Sequence, residues 1–459
     1  MFRGKVRSIH FVGIGGIGMS GLAEVLLTLG FRVSGSDLKE SPTLGRLRQL
    51  GAIIHLGHDP SNVGEADVVV ISSAVRSENA EIRAAHGLSI PVIRRAEMLA
   101  ELMRLKYGLA VAGTHGKTTT TTMLASCLAA GGLDPTVVIG GKVDSLGGTN
   151  AKLGAGEYLV AEADESDGTF TFLAPTVTLV TNIDPEHLDH HGTIENLERA
   201  FAEFANRVPF YGFAVLCLDH PRVQALIPQI RRRVVTYGFA RQAEYRATGL
   251  QFRGMETTFT MWRGEAALGE VRLGVPGKHN VQNATGAIAA ALELSIPFER
   301  IQAGLEGFGG VQRRFTVVGE PRGVLLVDDY GHHPVEIEAT LAAAESAFPE
   351  RRIVAVFQPH RYTRLRDLWP EFCSAFNRAS QVVVCPVYAA GEDPIPGVDA
   401  ERVGSDLRDR GHRGVHVAAS LDDAVAQLDA LARPGDVVVS LGAGNVNQVV
   451  RDLNEKWAG

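Results

Sequence analysis

A glycine-rich segment around position 117 carries the strongest chemical signal in the chain. Its residues are Gly113, Thr114, His115, Gly116, Lys117, Thr118 and Thr119. It follows a predicted strand and begins a predicted helix, as a phosphate-binding loop must. In such a loop the backbone amides surround the β-phosphate, Lys117 reaches the β- and γ-phosphate oxygens, and the Thr118 hydroxyl binds Mg²⁺. Val111 stands where the usual GxxxxGK[ST] pattern has its first glycine, so this loop is a shorter GxxGKT.

A second glycine pattern, GxGxxG, spans residues 13–18, directly after a predicted strand and before a predicted helix. Gly13, Gly15 and Gly18 allow a tight turn and let backbone amides approach a diphosphate at the positive end of the helix. Asp37 ends the next predicted strand, about where a carboxylate that binds a ribose would lie. Two alternatives stay open: a turn that only packs the helix on the strand, or a diphosphate site. The pattern does not say whether such a diphosphate belongs to NAD or to another nucleotide.

Acidic residues follow two later predicted strands. One cluster spans residues 162–167 after YLVAEA and begins with Glu162; the other spans residues 182–189 after TVTLVTN and contains His187. Ligands gather at the carboxyl ends of strands in open α/β sheets, and a carboxylate near a nucleotide phosphate is a suitable Mg²⁺ ligand. Acidic loops are also commonly just solvated. Because both clusters follow the phosphate-binding loop in one predicted domain, we predict that they bind metal.

Cationic and polar side chains are concentrated in the last third of the chain. Arg313 and Arg314 are adjacent, residues 329–334 read DYGHHP, and residues 358–364 read QPHRYTR. The last two segments follow predicted strands, and arginines bind phosphates and carboxylates through paired hydrogen bonds. These segments suit an anionic substrate, with plain surface charge as the alternative. The pair at 332–333 has no third ligand spaced nearby, so we predict no zinc site.

These motifs lie among alternating strand and helix patterns, which predict three α/β domains with doubly wound, parallel sheets. We predict an N-terminal Rossmann-like domain at residues 1–105 and a central domain of the P-loop ATPase type at residues 106–310. A C-terminal Rossmann-like domain follows at residues 311–459. In the central domain, TTFTMWRG and GEVRLGV predict a small appended antiparallel sheet, and HNVQNATGAIAAALEL predicts an amphipathic helix.

Composition excludes several classes of protein. The 459 residues are 45% hydrophobic and 21% charged, which excludes a disordered chain. The net charge of −7 disfavours a protein that binds nucleic acid. No apolar run approaches the ~18–20 residues needed to span a bilayer, and the N-terminus has no secretory signal pattern. We therefore expect a cytoplasmic protein without membrane insertion. The four scattered cysteines predict neither disulfides nor a zinc site.

Taken together, the motifs resemble those of the Mur ligases, ATP-dependent enzymes that form amide bonds in peptidoglycan synthesis. The segments that carry the resemblance are GTHGKTTT, EADESD, NIDPEHLDHHG, GKHNVQNATGAIAA and DDYGHHPVEI. The resemblance extends from Val12 to SLGAGN near the C-terminus. HFVGIGGIGMSGLAE looks like the UDP site of the family, which implies a UDP-sugar at the first glycine turn.

The resemblance implies that the substrates are ATP, UDP-N-acetylmuramate and L-alanine, with Mg²⁺ as cofactor. ATP would phosphorylate the lactyl carboxylate of UDP-N-acetylmuramate, and the amine of L-alanine would attack the acyl phosphate, giving ADP and phosphate. The alternative is the family member that attaches a tripeptide to the same sugar nucleotide in murein recycling. Its motif more often reads DDFAHHP and it lacks QPHRYTR, whereas this chain has DDYGHHP and QPHRYTR. Both a monomer and a homodimer stay open.

The resemblance also assigns roles to single residues. The implied catalytic residues are Lys117, Glu162, His187 and His332. The implied metal ligands are Thr118, Glu162 and His187. Besides the loop at 113–119, the residues implied to bind ATP are His279, Asn280, Asn283 and Asp329. Those implied to bind the UDP-sugar or the amino acid are Gly13, Gly15, Gly18, Asp37, Arg313, Arg314, Tyr330, Arg361 and Arg364. Several sibling ligases use a carbamylated lysine in the central domain, but this chain has no lysine between Lys152 and Lys278.

Two other functions compete with an amide-forming ligase. An oxidoreductase with a nicotinamide cofactor would use the first glycine turn, but it would leave the GTHGKTT loop and the third domain unexplained. A nucleotide-dependent switch or motor would use that loop, but it would leave the first glycine turn without a role.

Overall fold

The structure is a computed structural model that describes residues 6–72, 75–143 and 149–458. It is an α/β fold with three sheets, and each sheet falls within one of the three predicted domains. By its internal contacts the chain divides into two compact units. The first comprises the residues up to Thr248 with Thr260–Val271 and Gln282–Phe308, and the second comprises Gly249–Phe259, Arg272–Val281 and the residues from Gly309 onward. The domain boundaries at 105 and 310 remain predictions.

The N-terminal sheet has five parallel strands in the order β3-β2-β1-β4-β5. The strands are β1 (Ser8–Val12), β2 (Arg32–Asp37), β3 (Ile53–Leu56), β4 (Val68–Ile71) and β5 (Val92–Arg94). The helices between and after them are α1 (Ile17–Thr28), α2 (Pro42–Gln49), α3 (Ala80–Gly87) and α4 (Arg95–Met103). The strand order reverses at β1, so the glycine turn that follows β1 lies at a topological switch point, where open α/β sheets bind ligands.

The central sheet has ten strands in the order β15-β14-β13-β12-β11-β10-β6-β9-β7-β8. The strands are β6 (Tyr107–Ala112), β7 (Thr136–Val143), β8 (Thr149–Lys152), β9 (Tyr158–Glu162), β10 (Val177–Val180), β11 (Phe213–Cys217), β12 (Arg233–Gly238), β13 (Tyr245–Arg253), β14 (Glu256–Arg263) and β15 (Ala266–Leu273). The helices are α5 (Lys117–Ala130), α6 (Leu188–His191), α7 (Ile194–Asn206), α8 (Pro221–Leu226), α9 (Lys278–Glu293) and α10 (Phe298–Glu306). TTFTMWRG and GEVRLGV form β14 and β15, which continue from the edge of this sheet through the pairing of β12 with β13.

Strand β6 lies between β10 and β9 and is parallel to both. The loop that contains Lys117 follows β6, one acidic cluster follows β10, and the other begins at the last residue of β9. Because the carboxyl ends of parallel strands meet at one edge of a sheet, the pairing brings three separate sequence motifs to the same place.

The C-terminal sheet has six strands in the order β16-β17-β21-β18-β19-β20, of which only β16 is antiparallel to its neighbour. The strands are β16 (Thr316–Gly319), β17 (Leu325–Asp329), β18 (Ile353–Phe357), β19 (Gln381–Val384), β20 (Val415–Val417) and β21 (Val437–Leu441). The helices are α11 (Pro334–Ala347), α12 (Tyr362–Asp367), α13 (Trp369–Phe372), α14 (Ala400–Asp409), α15 (Leu421–Leu431) and α16 (Asn447–Ala458). Alternate residues of β18 belong to two different apolar clusters, Ala355 and Phe357 to one and Val354 and Val356 to the other. Both faces of this sheet are therefore buried, which explains its continuous apolar strands.

No helix among residues 6–72, 75–143 and 149–458 is long and apolar enough to cross a membrane.

Candidate active site

The loop between β6 and α5 has the backbone of a phosphate-binding loop. Gly113 and Gly116 adopt positive φ angles of 135° and 81°, which side chains rarely allow. A Cβ atom on Gly113 would lie 2.0 Å from Thr181 Oγ1, and one on Gly116 would lie 2.7 Å from Asn283 Oδ1. Helix α5 begins directly afterwards at Lys117, so its first amides face the loop. The glycines are required here by conformation and by close approach.

Hydrogen bonds attach this loop to the end of β10. The amide of His115 donates to Asn182 Oδ1 at 2.7 Å, and the side chain of Asn182 donates to the His115 carbonyl at 3.0 Å. Thr181 Oγ1 donates to the same carbonyl at 2.7 Å, and the amide of Asp184 donates to Thr114 Oγ1 at 2.8 Å. The segment after β10 thus holds the loop in one conformation, which is the pre-organisation that a phosphate site needs.

The ammonium of Lys117 is held by its own loop and by Glu165. It donates to the carbonyl of Gly113 at 2.7 Å and lies 3.0 and 2.9 Å from the two carboxylate oxygens of Glu165, whose side chain is 1% exposed. Burial by itself would lower the pKa of Lys117. The nearby carboxylates, among which Glu165 has the largest effect, outweigh burial and raise this pKa. Burial raises the pKa of Glu165 to about 7, against the opposing effect of Lys117. The lysine therefore keeps its positive charge at neutral pH.

The predicted metal ligands Thr118 and Glu162 are adjacent, because Thr118 Oγ1 donates to Glu162 Oε2 at 2.9 Å. A hydroxyl and a carboxylate beside a phosphate-binding loop are oxygen donors of the kind that Mg²⁺ takes, so these residues fit the ion. His187, the third predicted ligand, caps α6 in a left-handed conformation with φ 57°. In the described part of the chain, no three His, Cys, Asp or Glu side chains are grouped as a metal site. The side chain of Asp189 lies outside the described residues.

One residue near the loop, His220, escaped the sequence analysis, whereas its neighbour Asp184 lies in the acidic cluster of residues 182–189. Asp184 Oδ2 lies 3.5 Å from His115 Nε2, and Asp184 Oδ1 lies 3.4 Å from His220 Nε2. His220 follows β11, the strand next to β10. A search for polar residues at every strand end in this sheet would have found it.

The other residues predicted to bind ATP lie in several places. Asn283 lies in helix α9 and faces Gly116, because a Cβ atom at Gly116 would lie 2.7 Å from Asn283 Oδ1. His279 and Asn280 are in the first turn of the same helix, and Asn280 donates to the carbonyl of Pro276 at 2.7 Å. Burial, with the positive charge of Arg314, lowers the pKa of His279 to about 4, so this imidazole is neutral at physiological pH.

The first glycine turn is anchored on the end of β2. The amide of Gly13 donates to the carbonyl of Ser36 at 2.9 Å, and the amide of Gly15 donates to Asp37 Oδ2 at 2.9 Å. A Cβ atom on Gly15 would lie 2.8 Å from that same oxygen. A Cβ atom on Gly18 would lie 2.7 Å from a guanidinium nitrogen of Arg95, a residue that the sequence analysis did not select.

The buried carboxylate of Glu81 is linked to this turn through Ser36. Ser36 Oγ donates to Glu81 Oε2 at 2.6 Å, and Asn62 donates to Glu81 Oε1 at 2.6 Å. Histidines 10 and 58 approach the same carboxylate at 3.7 and 3.3 Å. Burial raises the pKa of Glu81, but the interaction with His10 and the hydrogen bonds from Ser36 and Asn62 outweigh it and lower the pKa to about 2.

In the second unit, the DDYGHHP segment begins at the end of β17. Both carboxylate oxygens of Asp329 accept backbone hydrogen bonds, from Phe315 at 2.8 Å and from Gly331 at 2.7 Å. Burial raises the pKa of Asp329 to about 6, although Arg314 and these amides oppose it. In this structure Asp329 holds two loops together; its predicted contact with ATP remains a prediction.

The two adjacent arginines are ordered around an aromatic ring. The guanidinium carbons of Arg313 and Arg314 lie 5.0 and 5.2 Å from the ring centre of Tyr330. Arg313 also donates to the carbonyls of Gly442 and Gly444. Arg314 pairs with Glu336 at 3.3 Å. The structure therefore brings together three residues predicted to bind substrate.

Aromatic and imidazole rings form a row that begins at Tyr330 and ends at Tyr388. The ring centres of His332 and Tyr330 are 5.3 Å apart, those of His332 and His360 are 5.7 Å apart, and Tyr388 is stacked on His360 at 5.5 Å. Burial and the surrounding positive charges lower the pKa of His360 to about 4. Arg364 donates to the carbonyl of His360 at 3.3 Å. The sequence analysis missed Tyr388.

Arg361 follows His360 in an unusual backbone conformation. Its φ is 70°, and its amide donates to the carbonyl of Tyr388 at 2.9 Å. Two residues later, Thr363 is held by Glu392 through bonds of 3.0 and 2.6 Å. A positive φ at a bulky residue is a strain that proteins retain mainly at functional sites, which agrees with a binding role for this segment.

Three regions of the chain match models of domains from one protein family. Residues 8–107 match the Mur ligase family catalytic domain, residues 111–291 the Mur ligase middle domain, and residues 313–444 the Mur ligase glutamate ligase domain. These three matches cover most of the chain, and the chain belongs to the Mur ligase family.

Within the family, the chain is similar over its full length to enzymes that add L-alanine. The UDP-N-acetylmuramate–L-alanine ligase of Sorangium cellulosum is 59% identical over 99% of this chain and 97% of its own. The enzyme of that name from Syntrophotalea carbinolica is 56% identical over 98% of each chain. The crystal structure of the UDP-N-acetylmuramate-alanine ligase from Thermotoga maritima has a TM-score of 0.83 and 30% identity, and covers 98% of this chain and 99% of its own. The predicted family and the three-domain α/β fold are confirmed.

Proposed function

We propose that this protein is an ATP-dependent ligase that joins L-alanine to the lactyl carboxylate of UDP-N-acetylmuramate, forming an amide bond. The observation that carries the proposal is the full-length similarity, at 55% identity or more, to relatives of that name. The nucleotide loop agrees with it, since an amide-forming ligase must activate a carboxylate with ATP. The reaction belongs to the synthesis of peptidoglycan precursors.

We assign ATP and Mg²⁺ to the loop at 113–119 with its neighbours. Loop amides and Lys117 bind the phosphates, and Asn283 borders the loop at Gly116. Thr118 and Glu162 hold Mg²⁺, which when bound neutralises charge on the phosphates. We assign His187 to a second cation and, in the second unit, His279, Asn280 and Asp329 to ATP binding.

We assign the UDP-sugar to the turn at 13–18, with Asp37 beside it. The turn lies at the switch point of the first sheet and begins helix α1, which favours a diphosphate. A nicotinamide cofactor would fit the same backbone, but an oxidoreductase has no use for the second loop.

The amino acid and the carboxylate to be activated are assigned to the arginines and rings of the second unit. Arg313, Arg314, Arg361 and Arg364 supply positive charge for carboxylate and phosphate groups. We assign Tyr330 and His332 to the amino-acid site as well. Because His360 is neutral at physiological pH, it adds no further charge there.

The physical task of the site is to bring two anions, a carboxylate and a γ-phosphate, into line. Lys117 stays protonated because of the carboxylates around it, so it can offset charge that moves on to the transferring phosphoryl group. The acyl phosphate must then be kept from water until the amine of L-alanine attacks it. The tetrahedral intermediate that results releases phosphate.

Phosphate release tests this proposal. The full-length protein should release phosphate from ATP only when Mg²⁺, UDP-N-acetylmuramate and L-alanine are all present, and mass spectrometry should show UDP-N-acetylmuramoyl-L-alanine. Steady release without an amine acceptor would indicate a nucleotide-dependent switch. Faster product formation with the tripeptide of murein recycling than with L-alanine would indicate the recycling ligase.

A further inference from the structure

Arg95 occupies a place that ordinary electrostatics disfavours. It is the first residue of helix α4, and its guanidinium lies beside Gly18 in the first turn of helix α1. The first turn of a helix carries partial positive charge, so it attracts anions and repels cations. Arg95 therefore begins one helix and places its guanidinium beside the positive end of another.

Gly18 leaves the space that this arginine occupies. A Cβ atom on Gly18 would lie 2.7 Å from Arg95 Nη1, 3.0 Å from Cδ and 3.2 Å from Cζ, so any side chain at position 18 would displace the guanidinium. A residue without a side chain and a cation at a helix N-terminus thus occur at the same contact. Such a coincidence is typical of a functional site.

The described partner of Arg95 offsets this charge only in part. Arg95 Nη2 lies 3.7 Å from Asp164 Oδ2, and both side chains are partly exposed, at 29% and 42%. At this distance and exposure the ion pair is weak. Lys117 and Arg95 both lower the pKa of Asp164, although desolvation opposes them. The charge of Asp164 therefore acts on both cations.

We infer that Arg95 is a ligand of the anionic diphosphate of the sugar nucleotide, bound jointly by its guanidinium and by the amides at the start of helix α1. This inference rests on the proposed function, because it takes the diphosphate to lie at the turn of residues 13–18. A diphosphate between these groups would supply the negative charge that both helix ends and the guanidinium favour. Asp164 serves as a positioning residue that holds Arg95 towards the turn.

The neighbouring arginine provides a matched control. Arg94 is exposed and ends β5, and its backbone amide, which a substitution keeps, donates to Glu97 Oε2. Calorimetry of UDP-N-acetylmuramate binding to the full-length protein, without ATP, should show Arg95→Ala weakened about tenfold to hundredfold, the usual effect of losing one hydrogen-bonded charge. Arg94→Ala should bind within twofold of the parent. Both variants should bind a non-hydrolysable ATP analogue with Mg²⁺ within about threefold.

Further variants separate a ligand from a merely structural arginine. Asp164→Asn keeps the guanidinium, so it should weaken binding of the sugar nucleotide much less than Arg95→Ala. Gly18→Ala keeps Arg95 but displaces it, so it should weaken that binding severalfold, and this variant tests the inference even if Arg95→Ala fails to fold. Equal losses in Asp164→Asn and Arg95→Ala, or parental affinity in Arg95→Ala, would overturn the inference and leave the proposed function intact. A parent protein that does not bind UDP-N-acetylmuramate would overturn both.

Discussion

The ammonium of Lys117 and the carboxylate of Glu165 form a buried ion pair, with Nζ 3.0 and 2.9 Å from the two carboxylate oxygens. The pair joins the loop at 113–119 to the second glutamate of the EADESD segment, and the first glutamate, Glu162, accepts a hydrogen bond from Thr118. The two carboxylates therefore have different partners, one the lysine and the other the hydroxyl predicted to bind Mg²⁺. This division leads to two separate predictions.

The first prediction concerns Lys117 itself. Lys117→Ala removes the cation that offsets charge on the transferring phosphoryl group, so turnover should fall by roughly 10²–10³-fold. The protein should remain folded, with a modest decrease in Tm, because Glu165 loses its partner and can take up a proton instead. Phosphate release and circular dichroism measure the two effects. Lys456→Ala, which removes a lysine from helix α16, is the control and should keep parental activity; activity of Lys117→Ala within tenfold of the parent would refute the assignment.

The second prediction separates the ion pair from its members. Glu165→Gln leaves the ammonium of Lys117 with less negative charge around it, so the variant should unfold at a lower temperature than the parent. Replacing both partners, in Lys117→Met/Glu165→Gln, should recover part of that loss, because a buried pair costs most when only one member is removed. Thermal unfolding of the parent, Lys117→Met, Glu165→Gln and the double variant forms a double-mutant cycle. Strictly additive effects would show that the pair contributes no coupling.

The third prediction uses the pKa of Glu81. Because its pKa is lowered from 4.5 to about 2 in the folded protein, its ionised form stabilises the fold above pH ~4.5, and this stabilisation is lost as the pH falls towards 2. Glu81→Gln should therefore destabilise the N-terminal sheet more at pH 6 than at pH 3.5, by about 1 kcal/mol from this linkage. Urea unfolding at the two pH values measures the difference. An effect of equal size at both would show that Glu81 has no perturbed pKa.

The fourth prediction concerns the first glycine turn. A side chain at position 15 would meet Asp37 Oδ2 at 2.8 Å and Leu44 Cδ2 at 3.2 Å, so Gly15→Val should displace the carboxylate as well as fill the space over the turn. The apparent KM for UDP-N-acetylmuramate should rise at least tenfold, while the KM for ATP stays nearly constant. Gly45→Ala is the control, since a Cβ there has open space around it. If the KM for ATP rises instead, the assignments of ATP and UDP-N-acetylmuramate to the two sites must be exchanged.

Local sequence patterns were sufficient for most of the fold. Apolar runs predicted the buried strands, and glycine at the strand–helix junctions predicted both tight turns, because each depends on neighbours only a few residues apart. Pairings between distant residues were different. Nothing near Thr118 in the sequence indicates that Glu162 will accept its hydroxyl while Glu165 takes Lys117, since that choice follows from how β9 aligns with β6.

Ligands gather at the carboxyl ends of parallel strands, and the sequence analysis considered only some of these strand ends. Arg95 follows β5, and His220 follows β11, so both lie at carboxyl ends of parallel strands. They were overlooked because neither belongs to a recognisable motif. Asp329 was predicted from its motif, but the structure shows its oxygens engaged by backbone amides, which sequence spacing cannot reveal.

The last prediction concerns the amino acid that the second unit accepts. L-Alanine should be the best acceptor, with glycine and L-serine slower, because an arginine that binds the carboxylate would hold any α-amino acid and selectivity must come from the space for the side chain. Space for one methyl group distinguishes it from hydrogen by only about 1–3 kcal/mol, or roughly 10–200-fold. Glycine should therefore be a poor but measurable substrate, and larger side chains should clash. Product formation with each acceptor at equal concentration measures the order.

Arg361→Lys tests the binding of the acceptor's carboxylate. This variant keeps the charge but loses the paired hydrogen bonds, so it should raise the KM for every acceptor while leaving their order unchanged. A changed order would mean that Arg361 contacts the side chain rather than the carboxylate.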